Sequence, residues 1–402
     1  MPELLAPAGS HESLAAAIQA GADAVYFGVR GLNMRAGGKA DFTEEELPEI
    51  VSKAHQHKVK AYLALNTIVY DREEERIKSI LKKARQAEVD AVIAWDPLVI
   101  EQAREQGIPI HVSTQASIAN YQALKHYAAQ GAKAAVLARE LDLEQIRNII
   151  HKKHQDNLKT KIELFVHGAM CVSVSGRCFM SLIAYGKSAN RGECIQPCRR
   201  SYTIKDPEEG TEYQLENSHV MSPKDLCAMP VLDKVLQAKP DILKIEGRMR
   251  SPEYVKTVTE SYKEAIRAWE QGRLTEELKR QLVKKMETVY NKGFSTGFYN
   301  GQPLHEWAGV YGSKATKKKT YAGRITNYYE KQQVAEARLE STAIKKGQAY
   351  LITGPTTGVQ EGTLPELRID DEPAEQAGKG AVITFKAPKA RVNDKLYLVE
   401  DA

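Results

Sequence analysis

Apolar positions along this chain fall into two textures that take turns. Short, nearly continuous apolar runs of strand length occur as "ELLAPA" near Leu4, "DAVYFGV" near Val25, "VKAYLAL" near Leu63, "AVIAW" near Ile93, "PIHVST" near Val112, "AAVLA" near Val136, "KIELFV" near Leu164 and "DILKIEG" near Leu243. Between them lie segments such as "SHESLAAAIQAG" and "TEEELPEIVSKAHQH", where Ser10 or Thr43 can cap a helix and apolar residues recur at helical spacing. Strands that are apolar on both faces belong in a parallel sheet covered on both sides. Eight strand–helix units predict an α/β chain built as a closed (β/α)8 barrel of the TIM type, with an open doubly wound sheet as the alternative. The steps between strands run about 19 to 37 residues, except the last, which is near 80. That excess predicts an insertion after strand 7, at the C-terminal face of the barrel, where barrel enzymes carry their chemistry.

Beyond the eighth strand, "SPEYVKTVTESYKEAIRAWEQG" and "TEELKRQLVKKMETVYNKG" read as two charged amphipathic helices, each closed by a glycine. The texture then changes to short alternating stretches broken by glycine and turn residues, which predicts a small C-terminal antiparallel β-barrel. The expected division is a barrel domain over residues 1–305, with its insertion over about 168–222, and a second domain over 306–402.

A chain of 402 residues has room for both parts. Its 57 Lys+Arg against 52 Asp+Glu leave a net charge of +5, an excess that tolerates a polyanionic partner without demanding one. "MPELLAPAGS" has no basic stretch leading into a long apolar run, and no window approaches the roughly 20 apolar residues of a membrane span, so a cytoplasmic location without a membrane partner is expected. Disulfides are disfavoured in that compartment, which bears on the cysteines. Four of the five fall in the pattern Cys171-x(6)-Cys178-x(15)-Cys194-x(3)-Cys198. Thiolates suit zinc or an iron–sulfur cluster, and four complete the shell of either; because only the last pair is close, the spacing favours iron–sulfur. Cys227 reads as an ordinary half-buried thiol.

Candidate chemistry gathers around the same stretch. "ELFVHG" offers Glu163 and His167 at a strand end, Arg177 adjoins a cysteine, and Arg199 and Arg200 follow the last one. The eighth strand ends "LKIEGRMRSPEY", which brings Glu246, Arg248 and Arg250 to the rim, joined by Asn66 in "LNT" and by Gln115 and Asn120 in "VSTQASIANY". Glu163, His167 and Glu246 are the catalytic candidates. Arg177 and Arg248, then Arg35 in "LNMRAGG", are the candidate clamp for an anionic substrate, with Gln115 and Asn66 beside them. Each has a plainer reading as an ion-paired arginine, a packed histidine or a rim hydrogen bond. His167 with Cys171 would also suit a thiol protease. No HExxH helix, G-x-S-x-G elbow or Gly-rich phosphate loop supports another hydrolase or a nucleotide-triphosphate enzyme.

"ELFVHGAMCVSVSGRCFMS" resembles the signature of the collagenase-like peptidase family U32. "ELLAPAG", "GADAVYFG", "VSTQAS", "CRR" and "SPKDL…LKIEGRMRSPEYV" are similar to further landmarks of that family in their usual order. The resemblance spans roughly residues 2 to 300 and more loosely the remainder. It implies a [4Fe-4S] cluster on Cys171, Cys178, Cys194 and Cys198, and through the tRNA hydroxylation branch it implies placement of a 5-hydroxyl on the wobble uridine. That reaction would take tRNA as partner, prephenate as the small carboxylate co-substrate, and in some cases a paralogous protein subunit. Sister branches hydroxylate an rRNA cytidine or act in oxygen-independent ubiquinone synthesis, and the family name carries a peptidase reading. "IKKGQAYLITGPTTG" resembles the small β-barrels of translation factors, with Lys317–Lys319 placed either to meet phosphates or to form a solvated face.

Overall fold

The computed structural model describes residues 1–37, 42–213, 219, 221–302, 306–310 and 312–402. Eight parallel strands, β1 (Glu3–Pro7), β2 (Ala24–Gly28), β3 (Lys60–Ala64), β4 (Ala91–Ala94), β5 (Ile110–Val112), β6 (Ala132–Val136), β7 (Lys161–Gly168) and β8 (Ile242–Ile245), pair in sequence order. β8 closes the ring between β7 and β1, with Ile242 opposite both Glu163 and Glu3. The chain returns between strands through α1 (His11–Gln19), α2 (Leu47–Gln56), α3 (Glu74–Gln86), α4 (Pro97–Glu105), α5 (Tyr121–Ala129) and α6 (Leu143–Gln155). Ser10 caps α1 by accepting the N–H of Ser13 at 3.2 Å; Thr43 instead opens a single 3₁₀ turn, Glu44–Glu46, ahead of α2. Among the described residues no helix is long and apolar enough to cross a membrane.

Alternation along each strand sorts side chains into two layers. Outward residues such as Val25, Leu63, Val92 and Leu164 pack under the helices. Inward, the small Ala24, Ala64, Ala91 and Ala134 leave space for Tyr26 and Tyr62. The lumen also holds charge, since Glu163 and Lys244 lie on inward positions and are buried.

The insertion leaves β7 and carries α7 (Met180–Tyr185), two short 3₁₀ turns, a two-residue strand pair, a strand Asp225–Cys227 antiparallel to the end of β7, a third 3₁₀ turn and α8 (Leu232–Gln237). At its root Gly168 has φ +106°, and a Cβ there would lie 2.5 Å from the Glu246 carbonyl oxygen, so only glycine lets the two strand ends approach. α9 (Pro252–Glu270) and α10 (Glu276–Glu287) follow β8.

Past Lys317 the chain forms an eight-stranded antiparallel sheet with its own core around Ile325, Ile352, Ile383, Phe385 and Leu396. It meets the barrel at α1, where Ala16 packs with Leu351 and Val359, and Gln19 accepts the Val359 N–H at 3.0 Å. Lys319 reaches Glu253 of α9 at 2.8 Å and Lys318 faces Glu400 at 3.7 Å, so both carry carboxylate partners. The division expected at 305/306 adjoins residues 303–305, outside the described residues.

Candidate active site

A cavity of about 270 Å³ opens at the C-terminal ends of the strands, the end at which the insertion sits. Its floor is Tyr26, Phe165 and Lys244. Lys244 Nζ donates to Glu163 Oε1 at 2.6 Å and lies 4.5 Å from the Tyr26 ring centroid and 5.4 Å from that of Phe165. Burial pushes the lysine pKa down while Glu163 opposes the shift. Below it, Glu163 Oε2 and His111 Nδ1 stand 3.8 Å apart, too far for a hydrogen bond. Burial, reinforced by Lys244, lowers His111 to about 3, so its imidazole is neutral. Glu163 therefore supports Lys244 from beneath rather than lining the cavity.

The walls bring together most of the expected residues. Arg35 Nη2 donates to Glu246 Oε1 at 2.6 Å. Burial alone would raise Glu246, but Arg35 above all, then Arg250 and Arg139, hold it down at about 2. Arg248 Nη1 donates to Asn33 Oδ1 at 2.9 Å. Opposite, Asn66 Oδ1 accepts the Met34 N–H at 3.2 Å, while Gln115 Oε1 accepts from Ser113 Oγ and from Asn66 Nδ2 at 3.4 Å.

Arg177 is exposed and lies outside the cavity: it donates to the Gln115 carbonyl and stacks 4.7 Å over Trp95. Arg250 stacks 3.7 Å over Tyr290, Asn120 caps α5 by accepting the Ala123 N–H at 2.9 Å, and Arg199 braces the insertion through the Met170 and Pro223 carbonyls, each at 2.7 Å.

His167 does not reach the cavity. Strict alternation would send it inward with Glu163 and Phe165, but the register slips there: Lys244 faces Phe165 and Ile245 faces His167, so Val166 is a bulge. His167 turns out with Ile245 into a nest of Tyr254, Tyr262 and Phe294, where burial lowers it to about 3. Cys227, expected to be half-buried, is 1% exposed beside Tyr262, and burial pushes its thiol up to about 12.

Arg139, like Lys244, is a cavity residue that sequence reasoning passed over. It lines the cavity at the end of β6, donates from Nη1 to the Ala169 carbonyl at 2.9 Å and lies 4.7 Å from the Phe165 centroid. Its Nε and Nη2 have no hydrogen-bond partner among the described residues, and burial lowers its pKa. Counting from the strand end in "AAVLARE" could have found it.

The rim carries the thiols. Cys171, Cys194 and Cys198 line the cavity, and Cys178 lies close enough to raise the pKa of both Cys194 and Cys198, on which burial is the larger effect. Three thiols each accept a backbone N–H two residues on: Cys171 from Ser173 at 3.4 Å, Cys178 from Met180 and Cys194 from Gln196, both at 3.3 Å. Among the described residues no three His, Cys, Asp or Glu side chains close around a single-ion position.

The model of a family described as peptidase family U32 matches residues 9–309. The chain is 44% identical to a protein named collagenase from Porphyromonas gingivalis, covering 98% of this chain and 97% of that one. It is 33% identical to tRNA hydroxylation protein P1 of Bacillus subtilis, over 88% of this chain and 84% of that one. It is also 36% identical to a 23S rRNA 5-hydroxycytidine synthase of Escherichia coli, over 75% of this chain but 45% of that one.

Proposed function

This chain belongs to peptidase family U32, and from that membership and the cavity's chemistry we propose that it is an RNA-modifying enzyme which hydroxylates the wobble uridine of tRNA, with a [4Fe-4S] cluster and a prephenate-type carboxylate co-substrate. The observation that carries this reading is the balance of hydrogen-bonding groups. The acceptors named in the walls hold donors at the following atoms: Glu246 Oε1 holds Arg35, Gln115 Oε1 holds Ser113 and Asn66, and Asn66 Oδ1 holds Met34. Lys244, Arg248 and Arg139 bring heads that only donate. A ligand complementary to this cavity supplies acceptors, as the two carbonyls of uracil and the carboxylates of a small acid do. The choice of uridine over cytidine rests on the similarity to tRNA hydroxylation protein P1, over 84% of that protein against 45% of the rRNA enzyme. A base stacked in a helix cannot enter so recessed a cavity, so the nucleotide comes from a single-stranded loop or is flipped out.

Cys171, Cys178, Cys194 and Cys198 would hold the cluster. What supports this is that Cys171, Cys194 and Cys198 line the cavity with Cys178 close to them, and that Cys171, Cys178 and Cys194 accept backbone N–H bonds of the kind that stabilise ligating sulfur. Bound there, the cluster would supply one-electron redox chemistry beside the cavity. The chain's own part is to orient the ligand. Lys244 and Arg248 present donors from the floor and wall, Arg35 is kept in place by Glu246, and Glu163 opposes the loss of charge that burial favours at Lys244.

Relatives named collagenase raise the peptidase reading, and the local chemistry gives it no support. Cys171 lines the cavity while His167 is turned outward, and the buried Cys227 and His167 are each held in the neutral form, the opposite of a thiolate–imidazolium pair. The test is mass spectrometry of nucleosides from separated tRNA and rRNA of a strain lacking the gene and any paralogue. Loss of 5-hydroxyuridine-derived nucleosides from tRNA is expected; loss of hydroxycytidine from rRNA would favour the sister reading, and unchanged RNA would reject both.

A further inference from the structure

The insertion leaves an apolar surface bare. Of the fourteen large hydrophobic residues exposed among the described residues, seven lie between Val172 and Ile195. Soluble proteins rarely leave such a concentration uncovered without a use for it. The cause is local. α7 is tied down on its polar side, where buried Ser181 accepts the Ile195 N–H at 3.1 Å, so that its apolar side faces solvent: Phe179 is 63% and Ile183 83% exposed, with Leu182 and Tyr185 beside them.

The same segment is cationic. Residues 168–202 hold five Lys or Arg against a single acidic residue, Glu193. Three of the cations, Arg177, Lys187 and Arg200, are exposed, whereas Glu193 is half-buried. Arg200 lies 5.0 Å from the Tyr185 ring centroid, so charge and aromatic face are presented together. The patch also adjoins the cavity, for α7 begins just after Cys178, whose sulfur accepts the Met180 N–H, and the loops that follow carry Cys194 and Cys198.

We propose that α7 and its flanks form the docking platform for a single-stranded RNA loop, on which unpaired bases stack while the neighbouring base enters the cavity. This rests on the RNA reading above and adds the surface that performs the capture. A second protein could also cover apolar residues, but a surface whose exposed charges are all positive suits a polyanion, and exposed rings interleaved with cations are how unpaired bases are held. The loops on either side of α7 line the cavity, so an RNA loop held on α7 has its neighbouring base beside the cavity.

The experiment is fluorescence anisotropy of a labelled RNA stem-loop with an unpaired uridine-containing loop, titrated with the full chain under anaerobic conditions. The Phe179→Ser/Ile183→Ser double variant should weaken binding about ten-fold or more, the loss expected when a stacking surface is removed. Arg200→Ala should lower the slope of log affinity against log salt by about one. Sedimentation and visible absorbance of all three proteins should be the same. A parent that binds the stem-loop beside variants that bind it equally well would overturn the platform alone, as would a double variant that dissociates an oligomer while keeping its RNA affinity. A parent that binds no RNA would refute the RNA reading and the platform with it.

Discussion

Lys244 donates to Glu163 at 2.6 Å inside the barrel, a contact that opposes the downward pull of burial on the lysine pKa, and neither residue has enough water around it to stand alone. Breaking a buried ion pair from one side costs ~3–5 kcal/mol, because the remaining charge is uncompensated. Lys244→Met should therefore lower unfolding stability by about that much in urea titration, and Lys244→Met/Glu163→Gln should recover much of it; equal losses in the single and the double variant would show that the pair is not coupled. Glu246 makes a prediction in pH. Its folded value of about 2 lies below the ordinary 4.5, so its contribution is complete above about 4.5 and disappears as the pH falls from there towards 2. Glu246→Gln should flatten that limb of the stability curve relative to the parent, and an unchanged limb would remove Arg35 as its partner. At this scale the sequence showed which charges sit at strand ends, and Glu246, Arg248 and Arg35 do meet in the cavity. It did not show Lys244 and Arg139, because a single cation inside an apolar strand, or just past one, looks like any solvated side chain until the barrel closes around it.

At the scale of elements, the eight apolar runs were legible because a parallel sheet buried on both faces has to be apolar on both faces, and each observed strand overlaps its run. The bulge at Val166 was not legible, since one extra residue leaves the apolar pattern of "KIELFVHG" intact while it reverses the direction of His167. The long last step did reveal the insertion, and the crowding of four cysteines within it is what supports the proposed cluster. Protein purified without oxygen should be brown and carry about four iron and four acid-labile sulfide per chain, the content of one [4Fe-4S] cluster. Cys171→Ala or Cys194→Ala should remove most of both, whereas Cys227→Ala should leave them intact, because Cys227 faces Tyr262 behind the barrel wall. A colourless protein with one zinc per chain would contradict the assignment.

On the scale of the whole molecule, the change in texture after the last helices announced the antiparallel sheet, but nothing in either pattern told that Gln19 of α1 would accept the Val359 N–H and seat that sheet against the barrel. Such contacts between distant segments rest on single polar residues that have no periodicity to read. The lysine run at the entry to the sheet is likewise half committed inside the molecule, since Lys319 ties it to Glu253 of α9. What remains facing outward around the cavity is the insertion, with its thiols, its apolar helix and its exposed cations, the parts of the proposed RNA-modifying site. The measurement that tests this most directly is the ratio of 5-hydroxyuridine-derived nucleosides to uridine in tRNA from a strain lacking the gene, complemented in parallel by the parent, Cys178→Ala and Cys227→Ala chains. The parent and Cys227→Ala should restore the ratio and Cys178→Ala should not; full restoration by Cys178→Ala, or none by the parent, would overturn the proposed function.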